Sequence, residues 1–175
     1  MKTKMNYKFV IVCTVFAMFS VGIFAQDSPK LMDNEIASVA VTANQIDIDY
    51  AKVALKRSKN KEVIDFANTM STDHLAIINQ AVKLVTKLGV TPKDNAVSQS
   101  LMKQAKQTLA KLEKVDKKDF DKTYIDNEVV YHQAVIDTVK NLLIPQAKNQ
   151  ELKDLLETVM PALEAHLEHA KMVQG

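Results

Sequence analysis

Apolar side chains recur at spacings of three and four residues in five stretches of this chain, which is the pattern of amphipathic helices. The second stretch places the pentapeptide at 70–74 near its middle. The predicted helices run over about 33–57, 63–88, 95–115, 116–143 and 149–173. The sequence therefore predicts an all-α protein.

The predicted helices are joined by short connections. Asp33, Asn60 and Asn149 are good N-caps for the first, second and fifth helices, and Gly89 ends the second. Pro161 lies inside the fifth pattern, where it should kink the helix or delay its regular start. With no internal repeat or Gly-rich linker, the elements predict one antiparallel, ferritin-like four-helix bundle. The shorter third helix is expected outside it, as the return crossover.

The N-terminus has the composition of a secretory signal peptide. Lys2, Lys4 and Lys8 precede an apolar run over residues 9–25, and polar residues follow Ala25. We predict a signal peptide over residues 1–25, a short polar segment over 26–32 and a single bundle domain over 33–175. An uncleaved anchor helix is the alternative, because the apolar run is long. If the signal peptide is cleaved, we expect a protein of the periplasm or the outer-membrane surface, without an integral membrane span.

Removal of this leader would change the charge and the cysteine content. The whole chain has 23 Lys and Arg against 21 Asp and Glu. Three of the basic residues and none of the acidic ones lie in the leader, so 20 remain against 21 and the net charge becomes −1. Nucleic-acid binding is therefore not expected. The only cysteine, Cys13, is also lost, which excludes a disulfide or a thiolate nucleophile.

Three histidines interrupt the apolar stripes of three predicted helices, and an aspartate interrupts a fourth. They are Asp47, His74, His132 and His166, on the first, second, fourth and fifth helices. At about 1.5 Å rise per residue, the first three fall within about one turn of mid-depth. His166 is expected nearer one end, unless Pro161 shifts it. Neutral imidazoles and a carboxylate suit a buried transition metal, namely Zn, Cu, Ni or Fe.

Two other interpretations of the histidines are open. Each ring can be a core residue that is hydrogen-bonded to a neighbouring carboxylate or hydroxyl, with Asp73, Glu128 and nearby tyrosines as candidate partners. Alternatively, His166 and His169 lie three residues apart on one helix face and could chelate a metal near Met172. Pairs of this kind near a C-terminus are usually exposed surface.

The sequence lacks the motifs of known catalytic bundles. Carboxylate-bridged di-iron proteins use Glu-x-x-His twice, whereas Ser71, Val129, Leu163 and His166 stand three residues before the four histidines. Oxidase or ferroxidase chemistry is therefore not expected. No other standard catalytic constellation is present, so an enzyme is the least favoured class of function.

Three segments of the chain resemble a known bacterial family. They are the run 63–74 with its Phe-Ala…Met…Asp-His block, the run 120–124 with His132 eight residues beyond it, and the Pro-x-Leu-x-x-His motif within 160–167. They are similar to the domain-of-unknown-function family numbered 4142, whose members are often labelled outer-membrane proteins. The resemblance covers about 33–170.

That resemblance implies a ferritin-like bundle, an exported protein and no established activity. The family's histidines on helices two, four and five correspond to His74, His132 and His166. A glutamate usually stands on the first helix where this chain has Asp47 or Asp49. Any association with the outer membrane would go through a partner protein.

Two hypotheses for function follow. The first is an exported binding or stress-related module in the periplasm, with a transition metal held by the seam histidines. The alternative is a structural or interaction protein of the cell envelope, in which the histidines serve only as core polar pairs. The metal, the ligand and the oligomeric state are left open by the sequence.

Overall fold

A computed structural model describes residues 29–175 of the chain. Five long helices account for most of this part, and the described residues contain no strand, so the all-α prediction is confirmed. The helices are α1 (Asp33–Arg57), α2 (Lys61–Lys87), α3 (Ala96–Lys114), α4 (Lys117–Thr138) and α5 (Gln150–Gln174). α4 continues through a π-helical turn, Val139–Leu143, and a last turn, Ile144–Gln146. The predicted signal peptide over 1–25 lies outside the described residues.

The helix ends follow local side-chain chemistry at most of the predicted positions. Asn60 and Asn149 accept hydrogen bonds from the backbone N–H groups of Glu62 and Leu152, which satisfies donors that the first turn leaves free. Asp33 does not act as the N-cap of α1, because Met32 holds that position. The Asp33 carboxylate instead accepts hydrogen bonds from the backbone N–H groups of residues 148 and 149. It therefore joins the start of α1 to the start of α5.

Four helices form the bundle, and α3 lies outside it. α1 packs mainly on α2 and α4 mainly on α5, while α2 meets α5 and α1 meets α4. α3 packs on α1 and runs in the same direction. At one end Ser38 donates a hydrogen bond to Asp94, and at the other end Arg57 donates one to the carbonyl oxygen of Val115. α3 therefore returns the chain along the bundle before α4 begins. The ferritin-like class itself stays a prediction.

Pro161 does not delay the start of the last helix. α5 is helical from Gln150 to Gln174, with Pro161 inside it. Asn149 supplies the cap at its start, and proline has no N–H to contribute to the helix. The depth of every later residue in α5 is therefore set by the Asn149 cap.

The core consists of two apolar clusters with a polar layer between them. One contains Phe66, Met70, Phe120 and Tyr124, and the other is built from the aliphatic side chains Ile36, Val39, Leu143, Leu156 and Leu163. The layer between them holds five buried titratable side chains: Asp47, His74, Glu128, His132 and His166. Within residues 29–175 no helix is long and apolar enough to span a membrane.

Candidate metal centre

Each bundle helix contributes one of the four candidate ligands to the polar layer. Asp47 lies on α1, His74 on α2, His132 on α4 and His166 on α5, and their exposed fractions are 0, 3, 1 and 4 %. The structure thus brings together all four residues that the interrupted stripes singled out.

The expected displacement of His166 toward one end is wrong. His132 lies about 21 Å along its helix from Gln146, and His166 lies about 24 Å from Gln150, at 1.5 Å rise per residue. Because α5 starts at Gln150 and not directly at the break near Gln146, the two depths agree within one turn. Residues 147–149 connect the two helices without being helical, so they do not add to the depth of His166.

The three imidazole rings form a nearly equilateral triangle. Ring centroids are separated by 5.6 Å for His74 and His132, 5.1 Å for His74 and His166, and 5.5 Å for His132 and His166. One donor atom from each ring lies within 4.8 Å of the other two. On one side of this triangle, Asp47 Oδ2 lies 3.2 Å from His74 Nε2 and 3.3 Å from His132 Nε2.

The outer nitrogen of the His74 ring is oriented by an amide. His74 Nδ1 lies 2.7 Å from Asn44 Oδ1. Asn44 Nδ2 donates to the carbonyl oxygen of Ala40 at 2.8 Å, which identifies the amide atom facing the ring as the oxygen. An amide oxygen only accepts, so the ring N–H is on Nδ1. In a neutral ring, Nε2 is then a bare lone pair facing Asp47.

The other two rings follow the same arrangement. His132 Nδ1 donates to the carbonyl oxygen of Glu128 at 3.0 Å, one turn back on its own helix. His166 Nε2 donates to Asp73 Oδ2 at 3.0 Å, so α2 supplies both a ring and the carboxylate that orients its neighbour. The inner nitrogens, His132 Nε2 and His166 Nδ1, have no hydrogen-bond partner within the described part of the chain. Outer hydrogen bonds of this kind are typical of metal-binding histidines.

Charge in the layer is concentrated on Asp47. Burial raises the pKa of the Asp47 carboxyl, but His74, His132 and His166 together outweigh burial and leave that pKa below its usual value. Burial lowers the pKa of His132 and of His166, against the opposite effects of Asp47 and Asp73. At neutral pH, these two rings are therefore neutral and Asp47 is a carboxylate.

A cation or a proton between Asp47 and its neighbours would be stabilising. Two bare ring nitrogens and a carboxylate oxygen are all acceptors, and at 3.2 and 3.3 Å they repel one another. A metal ion relieves this repulsion by accepting all the lone pairs. A proton on Nε2 also relieves it, but since Nδ1 already carries one, the ring would become an imidazolium.

Glu128 is a buried carboxyl that the sequence indicated only as a hydrogen-bond partner. Its side chain is fully buried, and Oε2 lies 3.5 Å from His132 Nδ1. Burial, with a further contribution from the Asp47 carboxylate, raises the pKa of Glu128 well above its usual value. Glu128, Asp47 and His132 form a second group of donors within 4.8 Å. The signal for this was the i, i+4 spacing of Glu128 and His132 on one helix face.

The alternative pair at the C-terminus is not assembled as a site. His166 is buried among the other rings, whereas the His169 ring packs edge-on against Phe66 with centroids 5.1 Å apart. The side chain of Met172 is 72 % exposed. His169 belongs to neither donor group found among the described residues. Among the described tyrosines, Tyr50, Tyr124 and Tyr131, no hydroxyl bonds a histidine, and Tyr131 donates to the carbonyl oxygen of Ala43.

The model of the family described as "Domain of unknown function (DUF4142)" matches residues 23–173, which is nearly the whole chain. No curated protein and no solved structure matches this chain.

Proposed function

We propose that this chain, which belongs to that family of unknown function, is an exported helical-bundle protein that binds one transition-metal ion in its core. The ligands are Asp47, His74, His132 and His166. One observation carries the proposal. Three ring nitrogens that have no partner among residues 29–175 converge beside a buried carboxylate, while the opposite nitrogen of each ring is held by an acceptor.

The ligand set favours a closed, four-coordinate site. Zinc–nitrogen bonds of about 2.0–2.1 Å in a tetrahedron place donor atoms about 3.3 Å apart. The three ring donors already lie within 4.8 Å of one another, so a shift of the rings by rotamer adjustment completes the site. Zn²⁺ is the first ion to test, and Cu, Ni and Fe also bind imidazole. A buried site with four protein ligands leaves no open position, which favours binding over catalysis.

The alternative function is a structural or interaction protein of the envelope, with the histidines as core polar pairs. The bonds of His74 to Asn44 and of His166 to Asp73 are also what such pairs require. In that case an additional proton in the layer takes the place of the metal ion beside Asp47. The two accounts differ in what stabilises the buried carboxylate.

Elemental analysis of the mature protein, purified from its native compartment without a tag or chelator, tests the metal. We expect about one transition-metal ion per chain, which His74→Ala removes and His169→Ala retains. His169 is the matched control because it is a histidine of the same domain that lies outside the donor groups. A metal-free protein that also fails to bind added Zn²⁺ or Cu²⁺ would refute the proposal.

Export is supported by the basic and apolar pattern of residues 1–25. We expect the mature protein in the periplasm or at the outer membrane, in the latter case held by an envelope protein partner, where it acts as a binding or stress-related module. Cell fractionation followed by N-terminal sequencing should give a soluble protein that begins at Gln26. Recovery of a chain that begins at Met1 from the inner-membrane pellet would support the anchor alternative.

A further inference from the structure

A cavity of about 240 Å³ lies beside the metal centre, between α3 and the bundle helices. It extends along α1 from Ala37 to Tyr50, which is about 20 Å at 1.5 Å rise per residue. The candidate ligands themselves do not line it. Asn44 and Tyr131 form part of its wall, so the cavity and the histidine layer are neighbours without being one site.

Small side chains create this space. Alanines from four helices face it: Ala37, Ala40, Ala43, Ala81, Ala105 and Ala134. Helices packed at native density leave few voids larger than a water molecule. An empty cavity of this size is therefore unfavourable, and an apolar one stays dry. The fold therefore keeps an apolar space between its helices, at positions where larger side chains would normally fill the core.

The lining differs between the two ends of the cavity. Aliphatic side chains such as Leu143 and Leu152 line one end, and no charged side chain lines any part of it. Tyr50, Thr108 and Asn127 lie at the other end. The Nδ2 atom of Asn127 is buried there and has no hydrogen-bond partner among the described residues. The cavity is therefore amphipathic along its axis.

The polar end opens between α3 and α4. These two helices contact each other only slightly, and Val130, which lines the cavity, is 70 % exposed. A ligand's polar head group at this mouth can therefore reach solvent.

We propose that the cavity binds a single alkyl chain of about ten carbons, with its polar head at the Asn127 end. A cavity of about 150 Å³ holds the six carbons of benzene, so 240 Å³ corresponds to about ten. Spread over about 20 Å, this volume is narrow and suits an extended chain better than fused rings. A free medium-chain fatty acid and the acyl chain of a membrane lipid share this chemistry. The inference does not depend on the metal site.

Calorimetric titration of the mature full-length protein with decanoate tests the proposal. We expect saturable binding of one molecule per chain, and no binding of 1-naphthoate, which is similar in carbon number but flat and wide. A titration with decylphosphocholine identifies the source: binding of both chains indicates a membrane lipid, and binding of decanoate alone indicates a free fatty acid. If neither chain binds, or if naphthoate binds as well as decanoate, the proposal is refuted.

Filling the cavity provides the matched variants. Ala81→Leu places a larger side chain in the apolar end and should weaken decanoate binding at least tenfold, without lowering the thermal midpoint. Ala110→Leu is the control, because Ala110 is exposed on α3 and does not line the cavity. Ala134→Trp, at an exposed position on the mouth, gives a second block if the core variant fails to fold. Decanoate binding that survives both blocking substitutions would overturn the proposal, whereas their metal content should equal that of the unmodified protein.

Discussion

The substitution Asp47→Asn keeps the shape of a fully buried side chain and removes its charge. The new amide can donate a hydrogen bond to the bare Nε2 atom of His74 or of His132, at the separations of 3.2 and 3.3 Å that the structure already provides. A hydrogen bond of this kind contributes about 1 kcal/mol. In the presence of a chelator, we therefore expect Asp47→Asn to be as stable as the unmodified protein, or more stable by about 1 kcal/mol.

The same substitution should remove most of the stabilisation by metal. An ion at about 100 times its dissociation constant stabilises a folded protein by about 2.7 kcal/mol. For a domain of this size, that is a rise of about 5–10 °C in the thermal midpoint. Asp47→Asn loses an anionic ligand, so its midpoint should change little when Zn²⁺ is added.

Thermal melts followed by circular dichroism, with EDTA or with Zn²⁺, measure both effects. Asp49→Asn is the matched control, since Asp49 lies on the same helix but is partly exposed and pairs with Lys52. The reasoning is refuted if Asp47→Asn is destabilised in EDTA by about 3–5 kcal/mol. That is the cost of breaking a buried ion pair, and it would show that an imidazolium, not a metal, balances Asp47.

Three further predictions concern the groups around the ligands. Asn44→Ala frees the His74 ring and should weaken Zn²⁺ binding about 10–100-fold in a chelator competition; an unchanged affinity would show that Asn44 does not orient the ring. In EDTA, stability should fall as pH drops below about 6.5, because burial lowers the pKa of His132 and His166 in the fold while the unfolded chain takes up protons. Urea midpoints that stay level or rise between pH 7 and 5 would contradict this. Glu128→Gln should stabilise the apo protein at pH 7, since burial raises the pKa of that carboxyl. The raised pKa of Glu128 makes the unmodified protein lose stability as pH increases, so the gain from Glu128→Gln should vanish near pH 4. A gain of equal size at pH 7 and pH 4 would exclude this cause.

The candidate site was predictable in part. A polar side chain on an apolar stripe is visible in the sequence, which is how Asp47, His74, His132 and His166 were found. Asn44 gave no such signal, because it lies at the edge of its stripe and its role depends on a ring thirty residues away. Asp73 was a general candidate partner, but its bond to His166 depends on how α2 and α5 are rotated.

The sequence alone determined the helices, the two asparagine caps and the set of polar residues that must be buried, because periodicity and capping are properties of neighbouring residues. The tertiary structure decided the depth of His166, the tautomers of the three rings, the burial of Glu128 and the cavity beside α3. These depend on the rotation and relative depth of helices that are distant in the chain. A rotation of one residue, about 100°, is enough to move a side chain out of the core.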